Sequence, residues 1–120
     1  MKARDIKNKE SKIELLDGLH NITIDFNAFE ELENEYGSIS DAFSKFTGVI
    51  KIIDIKKFLC AGINACIENE DEHYTPFAIG KLLNVKKVDA YVTTLMELLD
   101  KALPEDEPID EDDEEENTKN

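Results

Sequence analysis

Residues 54–66 have the sequence DIKKFLCAGINAC and carry the most regular apolar pattern in the chain. The apolar side chains recur at steps of three and four residues, which is the spacing of one face of an α-helix. Asp54 is the predicted N-cap, because a carboxylate there can accept hydrogen bonds from the first free backbone N–H groups. Gly62 lies on the apolar face, where we expect it to let another helix approach closely and so offset a helix cost of about 1 kcal/mol. The stretch therefore predicts a helix that packs closely against a second one.

Two shorter helices are predicted before this one. The first spans roughly residues 28–36, with Asn27 as its N-cap and Gly37 as its C-cap. The second begins after Ser38 or Ser40, since serine at either position can accept a hydrogen bond from a backbone N–H of the first turn.

Two more helices are predicted after it. Thr75 is the N-cap of one and is followed by a proline, whose missing N–H does no harm in a first turn. The other is longer and amphipathic, beginning at Val85 or Lys86 and ending at Leu103, directly before a proline. The stretch 49–53 is apolar and β-branched, and its pattern is compatible with helix and with extended structure.

A β-hairpin is predicted near the start of the chain. Asp17-Gly18 is a strong turn signal, and apolar residues flank it on both sides within residues 13–24. Because a lone hairpin is only marginally stable in water, this one is expected to pack on the helices or to pair with another chain.

The chain is predicted to have three parts. Residues 1–12 are rich in lysine and arginine and are expected to form a flexible basic N-terminus, and residues 13–103 form the helical domain. Residues 104–120 contain ten acidic residues and one basic residue, a net charge of −9, and are predicted to be a disordered acidic tail. The predicted fold class is therefore mainly α: a small domain of about five helices with an N-terminal β-hairpin and this tail.

Side chains that could carry chemistry are few and scattered. His20 and His73 have no nucleophile at a recognised spacing, and the chain contains no glycine-rich phosphate loop and no C-x-x-C motif. Cys60 and Cys66 lie six residues apart in a predicted helix, so they point in different directions and are interpreted as small buried apolar residues. The acidic loop 68–73 does not match the spacing of a calcium-binding EF-hand. We therefore expect no enzyme activity, no cofactor and no metal site.

Charge and hydropathy limit the partners. The formal net charge is −14, which disfavours binding to the phosphates of a nucleic acid. There is no run of about 18 apolar residues, so no membrane partner is expected. The charged start is not followed by the apolar segment of a secretory signal, and this pattern is typical of a cytoplasmic protein.

Five short segments carry a family resemblance through their order and spacing. They are ITID at 22–25, FNAFEELE at 26–33, YGS at 36–38, FLCAGI at 58–63 and TPFAIGKLL at 75–83. Followed by a long helix and a charged C-terminus, they resemble the tail assembly chaperones of long-tailed bacteriophages and prophages, including related proteins of gene transfer agents. Those proteins share an N-A-hydrophobic-x-x-L-E opening, an L-x-A-G-hydrophobic helix and a T-x-x-x-hydrophobic-G-x-L helix. The likeness extends over roughly residues 20–100.

The resemblance implies a function in virion assembly. Such chaperones bind the long, helical tape measure protein, keep its apolar stretches soluble and help to recruit tail tube subunits during tail morphogenesis. The implied partners are therefore the tape measure protein and the tail tube protein, and weak self-association is expected as well. The implied location is the cytoplasm of the bacterial host. The family has no catalytic residues, so none is assigned.

A client helix can be held by laying its apolar face in a groove between helices. The candidates for that protein-binding surface are five large apolar side chains: Phe58, Phe77, Tyr91, Leu95 and Leu98. The same residues also fit a buried core, which is where large apolar side chains usually lie. Two other functions stay open, an acidic protein-binding or DNA-mimic inhibitor and a generic helical adaptor of prophage origin.

Overall fold

The computed structural model of the chain describes residues 11–102. A two-stranded antiparallel hairpin precedes five α-helices, so the predicted helical fold with an N-terminal hairpin is confirmed. The elements are β1 (Ser11–Leu15), β2 (Gly18–Ile22), α1 (Phe26–Tyr36), α2 (Ile39–Ser44), α3 (Ile52–Asn64), α4 (Pro76–Leu82) and α5 (Val88–Ala102). Single 3-10 turns lie at Glu70–Glu72 and Val85–Lys87. The predicted acidic tail and the first ten residues of the predicted flexible N-terminus lie outside the described residues.

The hairpin differs from its prediction by one residue at the turn. Leu15 pairs with Gly18, so the two-residue loop is Leu16-Asp17, and Gly18 is the first residue of β2, with φ +127°. Strand β1 already begins at Ser11, two residues before the predicted start of the ordered domain. The register follows from tertiary contacts that a turn pattern cannot contain. One of them is the hydrogen bond from the Leu16 backbone N–H to the Leu82 carbonyl at 2.8 Å.

Helix α1 begins two residues earlier than predicted. Its N-cap is Asp25, not Asn27: the Asp25 carboxylate accepts hydrogen bonds from the backbone N–H groups of Asn27 at 2.9 Å and Ala28 at 3.1 Å. A negative charge at this position also interacts favourably with the helix dipole. The predicted C-cap is confirmed, since Gly37 has φ +96° and closes the helix in the left-handed region.

Of the two serines predicted for the start of α2, Ser38 is the N-cap, and Thr75 is confirmed as the N-cap of α4. The Ser38 hydroxyl accepts from the Asp41 backbone N–H at 3.0 Å at the start of α2. The Thr75 hydroxyl accepts from the Ala78 backbone N–H at 3.1 Å at the start of α4. The last helix is preceded by a 3-10 turn and becomes α-helical at Val88.

Helix α3 is the centre of the molecule and starts earlier than predicted. It begins at Ile52 with Lys51 as N-cap, so the ambiguous stretch 49–53 is divided between loop and helix. Asp54 is not a cap but a buried first-turn residue, 6% exposed, that accepts a hydrogen bond from the Tyr36 hydroxyl at 2.6 Å. Nearly every residue of α3 from Asp54 onwards is buried, because α1, α4, α5 and β2 all pack on it.

The close approach predicted at Gly62 exists, but its partner is the hairpin and not a helix. A Cβ atom at Gly62 would lie 2.8 Å from the Ile22 Cγ1 atom and 3.2 Å from the Thr23 carbonyl oxygen. The Thr23 backbone N–H donates to the Gly62 carbonyl at 3.1 Å. Gly62 therefore lets the end of β2 lie directly on α3.

Asn64, a polar residue at the end of α3, is buried. Its side-chain oxygen accepts from the Tyr74 backbone N–H at 2.8 Å, and its side-chain nitrogen donates to the Tyr74 carbonyl at 2.9 Å. The Asn64 side-chain amide thus bonds to both the N–H and the carbonyl of Tyr74, as the backbone of a neighbouring β-strand would. This pairing holds the segment between α3 and α4 against the end of α3.

Candidate protein-binding surface

Four of the five predicted binding residues are part of the core, which corrects their assignment to a surface. Phe58, Leu95, Tyr91 and Leu98 have exposed fractions of 0%, 0%, 2% and 5%. The Tyr91 hydroxyl also accepts a hydrogen bond from the Asn84 backbone N–H at 2.8 Å. The wide apolar face of α5 is therefore used within the domain, since a chain this small needs it to complete a core.

Phe77 is the one predicted binding residue that is exposed. It is 71% accessible on α4, and the Lys81 ammonium group lies 5.0 Å from the centre of its ring. Its four predicted companions are buried, so the structure does not bring the five residues together as a single surface.

An apolar groove lies elsewhere, between α1, α2 and the end of α5. It has a volume of about 740 Å³, and its apolar wall consists of Phe26, Phe29, Ile39, Phe43 and Ala102. Phe26, at the start of α1, is 83% exposed. The Phe29 ring lies 5.9 Å from that of Phe26 and 5.7 Å from that of Phe43, which makes a continuous aromatic lining. We call this feature the aromatic groove.

The apolar surface continues along α5. A smaller cleft of about 220 Å³ shares Phe43 with the aromatic groove and is also lined by Phe46, Met96 and Leu99. Met96 is 45% exposed, whereas Phe46 and Leu99 belong to the core. Sequence reasoning missed the groove, because Phe26 was placed before the first helix. The available signal was the spacing of Phe26 and Phe29, which share one face of a helix that starts at residue 26.

A polar cleft of about 370 Å³ lies on the other side of α1. Four glutamates line it, two from α1 and two from the segment after α3: Glu30, Glu31, Glu68 and Glu70. His73 also lines the cleft, and its Nε2 donates to the Ile67 carbonyl at 2.7 Å. Within residues 11–102, no cluster of histidine, cysteine and acidic side chains is placed to hold a metal ion. We call this feature the acidic cleft.

The buried thiol near the acidic cleft has a strongly shifted pKa. Burial raises the pKa of Cys60 to about 12, and the negative charge of Glu31 acts in the same direction. The Cys60 thiol donates to the Tyr74 carbonyl at 3.1 Å. Because the thiolate is the reactive form of cysteine, this side chain is protonated and unreactive at neutral pH.

In the part of the chain that the structure describes, no helix has both the length and the apolar character needed to cross a membrane. Comparisons with protein-family models, with curated proteins and with solved structures find no match to this chain.

Proposed function

We propose that this protein is a tail assembly chaperone of a long-tailed phage or prophage. It binds the tape measure protein in the cytoplasm of the bacterial host, keeps it soluble while the tail forms, and helps to recruit tail tube subunits. It acts by binding and not by catalysis. The observation that carries the proposal is the aromatic groove, which leaves Phe26 exposed beside Phe29 and Phe43. The ordered motifs of residues 20–100 supply the family to which this binding function belongs.

The aromatic groove suits the apolar face of a helix. Grooves of this type take anchor side chains spaced three, four and seven residues apart on the incoming helix. Burying one phenylalanine side chain is worth about 1.5–3 kcal/mol, so covering Phe26 gives the contact a substantial driving force. The groove gathers its apolar side chains in one concave place, which suits a partner better than apolar residues scattered singly over the surface.

Co-expression with a tape measure protein from the same phage or prophage tests the proposal. The measurement is the fraction of that protein that stays soluble and co-purifies with this chain. Phe26→Ser is expected to abolish the effect, because it removes the most exposed ring of the aromatic groove without touching the core. Phe77→Ser is the matched control: it removes another largely exposed ring, from α4, and should leave the client soluble.

Two results would contradict the proposal. The client could stay insoluble in the presence of the wild-type chain, which would remove the chaperone function altogether. Alternatively, Phe26→Ser and Phe77→Ser could reduce solubility equally, which would show that the aromatic groove is not the client site.

A further inference from the structure

The aromatic groove and the acidic cleft meet on α1. Each contains a stripe of four residues of this helix at positions i, i+3, i+4 and i+7. In the groove the stripe is Phe26, Phe29, Glu30 and Glu33, with Asn27 beside it, and in the cleft it is Asn27, Glu30, Glu31 and Asn34. Since Glu30 lines both features, as does Asn27, they form one continuous surface across α1, apolar on one side and acidic on the other. We call this the two-part surface.

No lysine or arginine of residues 11–102 lines the acidic cleft. One of its carboxylates, Glu31, accepts hydrogen bonds from the neutral side-chain amide of Asn64 at 3.3 Å, which leave its charge in place. The two lysine–carboxylate pairs of the described chain use Glu14 and Glu35, neither of which lines the cleft. Carboxylates gathered in a concave site concentrate their field, which attracts a cation and repels an acidic partner.

We infer that the two-part surface binds an amphipathic helix that carries lysine or arginine beside its apolar stripe. The apolar side chains enter the aromatic groove, and the cationic side chains pass Glu30 to reach the acidic cleft, where carboxylates accept charge-assisted hydrogen bonds. This inference rests on the proposed function and specifies its client: the segments that the two-part surface binds are the cationic amphipathic ones.

Charge also argues against two occupants from this chain itself. The residues that follow Ala102, at the end of the groove, include ten acidic side chains between positions 104 and 120, which Glu30 and Glu33 would repel. A second copy carries a net charge of −14 and would approach against the same repulsion.

Two synthetic peptides test the inference with the full-length protein. Both are amphipathic helices of about 18 residues with the same leucine stripe, and the flanking stripe is lysine in one and glutamine in the other. Fluorescence anisotropy at low salt measures the Kd of each peptide. We expect the lysine peptide to bind about tenfold more tightly than the glutamine peptide, because its charges complement the acidic cleft.

Two double substitutions separate the acidic cleft from the overall charge of the protein. Glu68→Gln with Glu70→Gln is expected to raise the Kd of the lysine peptide by about threefold or more and to leave the Kd of the glutamine peptide unchanged. Asp89→Asn with Glu97→Gln removes the same charge from exposed positions of α5, outside both features, and should change neither Kd. Phe26→Ser should raise the Kd of both peptides, since both bind in the aromatic groove.

Several outcomes would overturn the inference. Equal losses in the two double variants would mean that the lysine peptide responds only to net charge. If the two peptides bind with the same Kd and Phe26→Ser weakens the binding of each, the inference fails while the proposed function stands. If neither peptide binds and Phe26→Ser leaves client solubility unchanged, the inference and the proposed function both fail. Concentration-dependent sedimentation that Phe26→Ser abolishes would place a second copy in the groove. A last outcome concerns the basic N-terminal residues of this chain. If Lys7→Ser with Lys9→Ser, made in the full-length protein, tightens the binding of both peptides, these residues compete for the two-part surface.

Discussion

Asn64 makes two hydrogen bonds to the backbone of a single residue, Tyr74, from a position that is 4% exposed. Asn64→Ala would leave the half-buried Tyr74 backbone N–H without its acceptor, whereas the Tyr74 carbonyl would keep the Cys60 thiol as a donor. One such unpaired group costs about 1–3 kcal/mol, so we expect the free energy of unfolding in urea to fall by about that amount. Asn34→Ala, at an exposed position of α1, should change it by less than about 0.5 kcal/mol. A loss of similar size in both variants would contradict this account.

Gly62 and Gly80 are both helical glycines with a close neighbour, but the neighbours differ in stiffness. A Cβ at Gly62 meets the Ile22 side chain at 2.8 Å and the Thr23 carbonyl at 3.2 Å, whereas one at Gly80 meets the flexible Lys56 side chain at 2.9 Å. Gly62→Ala should destabilise the protein by about 1–3 kcal/mol through overpacking. Gly80→Ala should be neutral or stabilise it by up to about 1 kcal/mol through helix propensity. Thermal unfolding of both variants compares the two effects directly, and a stabilised Gly62→Ala would contradict the packing described here.

At the scale of the elements, the caps show what local sequence can predict. Gly37 and Thr75 are confirmed as caps, and Ser38 is one of the two serines predicted for the start of α2. Each of these caps bonds to a backbone group within about one turn, so the pattern is contained in a few residues. Asp25 and Asn27 are both good N-cap types, and nothing local separates them. The start of α1 is decided by where β2 ends on α3, which is a tertiary contact.

Substitution at these two positions tests the observed start of α1. Asp25→Ala should lower the free energy of unfolding by about 1 kcal/mol, because it removes the acceptor for two backbone N–H groups. Asn27→Ala should change it by less than about 0.5 kcal/mol, since this residue is exposed and its side chain is not the cap. Urea titrations of the two variants provide the comparison. A larger effect at Asn27 would restore the N-cap predicted from sequence.

At the scale of the whole molecule, the amphipathic patterns identified apolar faces but not their partners. The sequence offers Leu95 and Leu98 as candidates for a binding surface while favouring the core for large apolar side chains, and the packing of α5 on α3 places them in the core. Phe26 is exposed for the converse reason: it lies at the start of α1, beyond the edge of the core. The apolar periodicity of one helix does not show which faces of the other helices will cover its apolar side chains.

The charge of the whole chain should make its stability depend on salt. The net charge is −14, and self-repulsion within a folded chain is screened as ionic strength rises. The lysine–carboxylate pairs of residues 11–102, Lys57–Glu35 at 3.5 Å and Lys87–Glu14 at 3.6 Å, are partly exposed and worth less than about 1 kcal/mol each. The thermal midpoint should therefore rise between about 0.02 and 0.3 M sodium chloride. A falling midpoint would show that these attractions outweigh the repulsion.

The hydrogen bond between Leu16 and Leu82 also has a consequence for the time course of synthesis. The two residues are 66 positions apart, so the hairpin cannot make this contact until most of the domain has left the ribosome. At about 5–20 residues per second, that delay is roughly 3–13 s. Residues 11–22 are thus made several seconds before their partner on α4, although β2 can already pack on α3 once Gly62 has emerged. During that interval the hairpin is held only on the side of α3, and its turn end, at Leu16, can be reached by other proteins in the cell.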